Sequence, residues 1–393
     1  MIVEKQKTKR SVRKEELAYG DVRIQLSAFE TGKGVTEYHV LLSLERPSSS
    51  FEQQLKKLQN AYNTLVTEDL PAGAVPAFRR YFLSDAANQT ERLMQQEREN
   101  TFCALSIVQQ PPLNGTKIAL WAYFLSEATV HSHSTVMHEV AHNGYRHLWS
   151  GGLSNKAANA EYQTRLLFND YILQLSGQGV SLVANCIRTW LFVQNVDVNY
   201  AGVVKARREV FLTQNLNETT HYIASTGIEG RHADPEVLVQ MDAYSVDGIC
   251  PEQIQYLYAP THLNPTYEYG VTFERGVTVT YGDRKQIYIS GTASIDNRGE
   301  IVHPGNILKQ TGRMLENIEV LLQEAGAGLK DVMQAIVYLR DTADYLPVKK
   351  YLQTHYPDLP HLIVLAPVCR PGWLIETECI AVTGEGNKNF KAF

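Results

Sequence analysis

Along "ILKQTGRMLENIEVLLQEAGAGLKDVMQAIVYLRD", residues 307–341, the spacing of apolar positions changes part-way. Met314, Leu315, Ile318, Leu321 and Leu322 recur at the three-and-four interval of one helix face. A glycine stop follows, and "AIVYLRD" then reads as a β-rich run. The pattern predicts a helix and then a strand. The same layout is written twice more. "AEYQTRLLFNDYILQLSGQGVSLVANCIRTWLFVQ" aligns without a gap at a shift of 147, taking Gln163 to Gln310, Thr164 to Thr311, Leu175 to Leu322 and Gly179 to Gly326. "FEQQLKKLQNAYNTLVTEDLPAGAVPAFRRYFLSD" aligns at a shift of 256, taking Gln54 to Gln310, Leu65 to Leu321 and Leu83 to Leu339.

Strand-like runs flank each copy: "EYHVLLSLE", "YRHLWSGG" and "QIYISGT" before the helix, "TKIALWAYF", "VLVQMDAY" and "WLIETECIAV" after it. A mainly antiparallel sheet covered on one face by two helices is an α+β unit. The expected division is 1–127, 128–259 and 260–393.

Composition narrows the class. The chain has 393 residues, 44% hydrophobic and 20% charged, with net charge −5. That balance argues against a nucleic-acid partner, which calls for a basic face. The one basic run, "KQKTKRSVRK", reads as a solvated N-terminal tail. No apolar run is long enough to span a bilayer, and the N-terminus lacks the apolar core of a signal peptide. Five scattered cysteines (103, 186, 250, 369, 379) without a CxxC pair suit a reduced cytoplasm, where the sequons at Asn88, Asn114 and Asn217 stay idle. Cys186 and Cys379, inside apolar runs, are expected in the core.

One motif competes with this reading. "HEVAH", His138 to His142, spells the zinc-hydrolase pattern. In the repeat, however, "VMHEVAHNGYRHLWSGG" lies opposite "GVTVTYGDRKQIYISGT", and Asn-Gly between β-rich runs signals a hairpin. On a strand the two histidines stand about 13 Å apart, against about 6 Å on a helix. No metal and no cofactor is expected.

"FERGVTVTYGDRKQIYISGTAS", "NIEVLLQEAGAGLKDVMQAIVYLRD" and "LIETECIAV" resemble the Rid family (YjgF-like, also labelled L-PSP endoribonuclease) over residues 273–382. The second copy matches more weakly and the first only in layout. The resemblance implies three tandem Rid/chorismate-mutase-like domains forming a single-chain pseudo-trimer, alone or in a higher homo-oligomer, with ligand clefts between units. Across copies two and three, "NCIRTWLFVQNVDVNYAGVVKARREVF", "IASTGIEG", "SGTASI" and "VCRPGWLIETE" are similar to the chorismatases, which remove pyruvate from chorismate. This likeness implies Cys369, Arg370 and Glu376 in the site, with backbone N–H groups of Gly291, Thr292 and Ala293 lining it. The Rid deaminase arginine would fall near His361, and the chorismatase Tyr-Gly-x-Arg segment is reduced to Tyr269 and Gly270, with Arg275 as a shifted substitute.

The residues themselves allow the chemistry. Glu376 and Glu378 alternate on one strand, about 7 Å apart and facing one way. Apolar neighbours and a second carboxylate raise a carboxyl's proton affinity, which suits a general acid. Arg370 suits bidentate capture of a substrate carboxylate; the competing role for Glu376 is an ion pair with Arg370. Cys369 beside a cation is a candidate reactive thiol, with a buried, inert cysteine as the alternative. At the shift of 256 the two acids become Leu120 and Ala122, and copy two offers Gln240 and Asp242. A single working site in copy three is expected, with Tyr162, Arg188 and Trp190 of copy two as neighbours. The expected activity is pyruvate release from chorismate or a similar carboxylated enol ether. The alternatives are an imine or enamine deaminase, a non-catalytic ligand-binding scaffold and an endoribonuclease.

Overall fold

The computed structural model describes residues 12–32, 34–47, 50–97 and 102–393, apart from the side chain of Tyr269. Residues 5–11 of the basic run lie outside the described residues, as does the Tyr269 side chain proposed for the site.

Three six-stranded sheets follow one another. The first holds β1 (Val12–Tyr19), β2 (Val22–Phe29), β3 (Glu37–Leu44), β4 (Val75–Leu83), β5 (Ala104–Gln109) and β6 (Ile118–Leu125), with helices α1 (Phe51–Thr64) and α2 (Ala86–Glu97). The second holds β7 (Thr129–Ser132), β8 (Met137–His142), β9 (Tyr145–Ser154), β10 (Cys186–Val193), β11 (Ala224–Glu229) and β12 (Val239–Asp247), with α3 (Ala160–Gly177), one-turn α4 (Leu182–Asn185) and α5 (Val196–Thr213). The third holds β13 (Ile254–Leu257), β14 (Gly276–Thr280), β15 (Lys285–Ala293), β16 (Val332–Leu339), β17 (His361–Leu365) and β18 (Ile375–Thr383), with α6 (Ile307–Glu324) and α7 (Tyr345–His355). Strand β13 joins the third sheet although it precedes residue 260.

The strand orders are the same: β1-β2-β3-β6-β4-β5, β7-β8-β9-β12-β10-β11 and β13-β14-β15-β18-β16-β17. In each sheet only the last pair is parallel. A single side-chain device repeats with the topology. The buried Gln54, Gln163 and Gln310 each sit on the first helix of their unit, and each amide oxygen accepts from the backbone that leads into the final strand. The donors are Lys117 N at 2.8 Å, Leu238 N at 2.7 Å and Leu374 N at 3.0 Å. The three glutamines therefore occupy like places. Gln163→Leu leaves the N–H groups of Leu238 and Val239 without this acceptor. A loss of about 1–3 kcal/mol is expected, read as the shift in urea midpoint.

The inner faces of all three sheets meet in one core around Trp121, Trp149, Trp190 and Phe78, while α1–α2 and α3–α5 cover the outer faces of sheets one and two. Arg80 lies over the Trp121 and Trp190 rings at 5.1 and 4.8 Å and binds Asp242 at 2.7 Å. Charges from different units thus meet at the centre.

The HEVAH histidines lie on strand β8, as the repeat predicts. The hairpin turn at Asn143 and Gly144 has φ of 48° and 82°, the left-handed conformation that an Asn-Gly pair accepts readily. His142 stacks on His147 at 4.6 Å, and His138 pairs in register with Trp149. Among the described residues no three metal-ligating side chains gather.

Candidate active site

A narrow cleft runs between units two and three, with about 460 Å³ of space including its open mouth. Unit two contributes Tyr200 and Arg207 from α5 and Ser225, Thr226 and Gly227 from β11. Unit three contributes Phe273, Arg275, Gly291, Ala293, Cys369, Arg370, Trp373 and Glu376. The chain therefore supplies both walls itself.

Glu376 is the second residue of strand β18, in register with Ala293 and Tyr338. It is buried, and its carboxyl is pushed up to about 8, first by burial and then by the charge of Glu378, with Arg188 and Arg275 pulling the other way. At neutral pH it is a proton donor. The fold makes room for it with a glycine: a Cβ on Gly291 would lie 2.1 Å from Glu376 Oε1. Gly291→Ala must therefore displace the acid. A drop in kcat of at least tenfold, with an unchanged circular-dichroism spectrum, is expected.

Gly291 and Ala293 line the cleft, but the Gly291 N–H donates to Thr226 Oγ1 at 2.9 Å. It is therefore engaged, which corrects the expectation that it is offered to a ligand. Thr292 alternates away, and its hydroxyl bonds to Ser290 O at 2.9 Å. Thr226 takes up the donor role. Its oxygen accepts from both Arg188 Nη2 and Gly291 N, so its own proton remains to be donated.

Two expected catalytic groups are placed otherwise. Glu378 does not line the cleft. It turns to the central axis, where it accepts from Arg188 at 2.8 Å and Trp190 Nε1 at 2.8 Å and lies 3.6 Å from Arg80. Glu376 and Glu378 do alternate on β18, against Tyr338 and Ile336 of β16, but two residues further along the strand Glu378 meets Arg188 and Trp190 of β10 instead of the cleft. Cys369 does line the cleft, but its thiol is pushed up to about 12 by burial and by the neighbouring Glu376 charge. At neutral pH it remains a thiol, hydrogen-bonded with Tyr200, and is no activated nucleophile.

Arg370 lines the cleft with its guanidinium 5.5 Å from the Trp373 ring centre. Arg275 takes its shifted place there, held by Asn264 O at 2.9 Å. Of the copy-two neighbours, Arg188 and Trp190 lie beneath the cleft floor, and Tyr162 is 56% exposed elsewhere. Arg207 was missed. It bonds Thr272 and Ser225 through Nε and Nη1, while its buried Nη2 has no protein partner. The signal was an arginine on the buried stripe Val203–Arg207–Val210 of α5.

The acid's counterparts are shifted by one residue in unit one. Gln54 binds Lys117 where Gln310 binds Leu374, a shift of 257 rather than 256. Glu376 and Glu378 thus correspond to Ala119 and Trp121, not to Leu120 and Ala122. Ala119 indeed lines a cleft. In unit two the counterparts are Gln240 and Asp242, as expected.

Comparison with known proteins agrees with this architecture. A family profile described as Endoribonuclease L-PSP matches residues 275–383. The 3-aminoacrylate deaminase RutC of Acinetobacter baylyi is 33% identical over 97 residues, 24% of this chain and 77% of that protein. The chain belongs to the Rid (YjgF, L-PSP) family. A second Rid relative, a RutC family protein of Pyrococcus abyssi, is 39% identical over 98 residues, 24% of this chain and 76% of the relative. Among solved structures, a chorismatase crystal structure superposes with a TM-score of 0.62 at 15% identity, covering 78% of this chain and 92% of that one. That likeness is one of fold. It extends the Rid architecture beyond the profile match to most of the chain. Among the described residues no helix is long and apolar enough to cross a membrane.

Proposed function

We propose that the cleft between units two and three converts a small carboxylated enol ether, chorismate being the first candidate, by general-acid catalysis. The observation that carries this reading is Glu376, a buried carboxyl still protonated at neutral pH in a cleft lined by three arginines. Arg370, Arg275 and the open Nη2 of Arg207 bind substrate carboxylates. Glu376 gives its proton to the terminal methylene carbon of the enol ether, and the positive charge develops on the ether-bearing carbon. Water adds there and loses a proton, and the resulting hemiketal collapses to pyruvate and an alcohol. One water is consumed. Thr226 is placed to donate to the substrate or to that water. In this reading the three units, the third beginning ahead of β13 and not at residue 260, act as a single-chain pseudo-trimer in the cytoplasm.

The test is incubation with chorismate, with pyruvate followed by lactate dehydrogenase and NADH. Pyruvate release that fails in Glu376→Gln supports the reading; no release by the wild-type protein overturns it for chorismate.

A second reading, imine or enamine deamination, is favoured by the likeness to the 3-aminoacrylate deaminase. Against it stands the position of the carboxylate-binding arginine. His361 of β17 pairs with Ala335 of β16, and its counterpart at the Glu376 cleft is Ser225 of β11, paired with Thr189 of β10, so no arginine stands there. Ammonia release in a dehydratase-coupled assay would favour deamination.

A further inference from the structure

Three like units place three like clefts around one axis, and these have diverged. Between units one and two, β9 packs directly on β5. A Cβ on Gly151 would meet Leu105 O at 2.6 Å, and Gln240, in the acid's place, reaches Ser106 at 3.5 Å. Between units three and one the cleft stays open, with about 1410 Å³ of space including its mouth.

The open cleft has lost the catalytic set. Ala119 stands for Glu376, and because the bridge Pro112–Val364 matches Val368–Ile228, Leu113 and Asn114 stand for Cys369 and Arg370. On the facing strand His361, Leu362 and Ile363 stand in the places of Ser225, Thr226 and Gly227. A different polar set has come in, with Arg23 on β2 and Lys349 on α7 as cations and Tyr345 and Tyr356 as aromatic walls. Arg23 pairs with Glu16, yet its buried Nε has no protein partner. His361 Nδ1 lies 2.7 Å from Leu359 O, a group that only accepts, so Nδ1 carries the ring proton. Nε2 of the neutral ring is then an acceptor.

From these residues we propose that the cleft between units three and one is a second binding site, one that holds a small aromatic hydroxy acid without transforming it. The carboxylate binds Lys349 and Arg23, the ring packs on Tyr345 and Tyr356, and the hydroxyl donates to His361. With no acid at position 119, the bound molecule is not protonated.

The test uses 4-hydroxybenzoate titrated calorimetrically into the full chain. Binding is expected to weaken at least tenfold in Lys349→Glu, a half-buried helix position remote from Glu376, and to be unchanged in Arg370→Ala. Benzoate and 4-hydroxybenzyl alcohol, each lacking one anchor, are expected to bind at least tenfold more weakly. His361→Phe is expected to erase the preference for 4-hydroxybenzoate over benzoate. Absence of binding at millimolar probe overturns the proposal. So does binding that survives Lys349→Glu but is lost in Arg370→Ala, which would put the probe in the Glu376 cleft.

Discussion

Replacing Glu376 by Gln is expected to lower the turnover of the proposed reaction by about 10²–10⁴, the usual contribution of a positioned general acid. The amide keeps the shape against Gly291 but has no proton of suitable acidity. The wild-type pH profile follows from the same carboxyl. Glu376 is protonated below its shifted value of about 8, so activity is expected to hold through neutrality and to fall as pH rises through 8. Stability moves in a linked way. An unfolded glutamate ionises near 4.5, whereas the folded one retains its proton to about 8. Between those values the folded chain binds a proton that the unfolded chain does not. The wild-type fold therefore loses stability as pH rises from about 4.5 to 8, by roughly 3–5 kcal/mol at most. Glu376→Gln escapes this loss. Its urea midpoint is expected to exceed that of the wild type at pH 9 and to approach it at pH 5. A variant both inactive and less stable at pH 9 would show that the carboxyl is a structural ion-pair partner and not a stored acid.

The second large effect belongs to Glu378 and has the opposite character. Its carboxylate compensates Arg188 and accepts from Trp190 where the three sheets meet, and Arg80 lies within 3.6 Å. Glu378→Gln keeps the volume and removes the charge. Breaking a buried pair leaves the other ion uncompensated and costs about 3–5 kcal/mol. The urea midpoint is expected to fall accordingly at pH 7. A second readout separates this residue from Glu376. The Glu378 charge helps to hold the Glu376 proton, so its removal lowers the pH at which Glu376 ionises. The alkaline limb of activity is expected to move to lower pH while some activity survives. An unchanged limb would show that the two carboxyls do not sense each other.

Much of this arrangement was legible in the chain. Helical spacing with a buried glutamine at positions 54, 163 and 310 marked three copies of one unit, because that glutamine ties each helix to the approach of its last strand. Asn143-Gly144 marked a hairpin turn and so placed His138 and His142 on a strand. Glu376 was singled out by the chorismatase likeness of "VCRPGWLIETE", and its apolar flanks spoke for a raised proton affinity. Glu378 was read as a partner acid because alternation along a strand says which face a side chain takes and not which charge of another unit meets it there. The counterpart in unit one was read one residue late for a related reason: on a strand a one-residue slip exchanges the two faces.

By itself, then, the sequence determined the local elements and their threefold repetition, since periodicity, turn chemistry and strand alternation act over a few residues. Only the tertiary structure decided which side chains share a cleft. Arg207 and Thr226 reach Glu376 from another unit, Cys369 is silenced by burial, and Glu378 is claimed by Arg188, 190 positions away. Burial and charge pairing depend on distance in space, which no local pattern records.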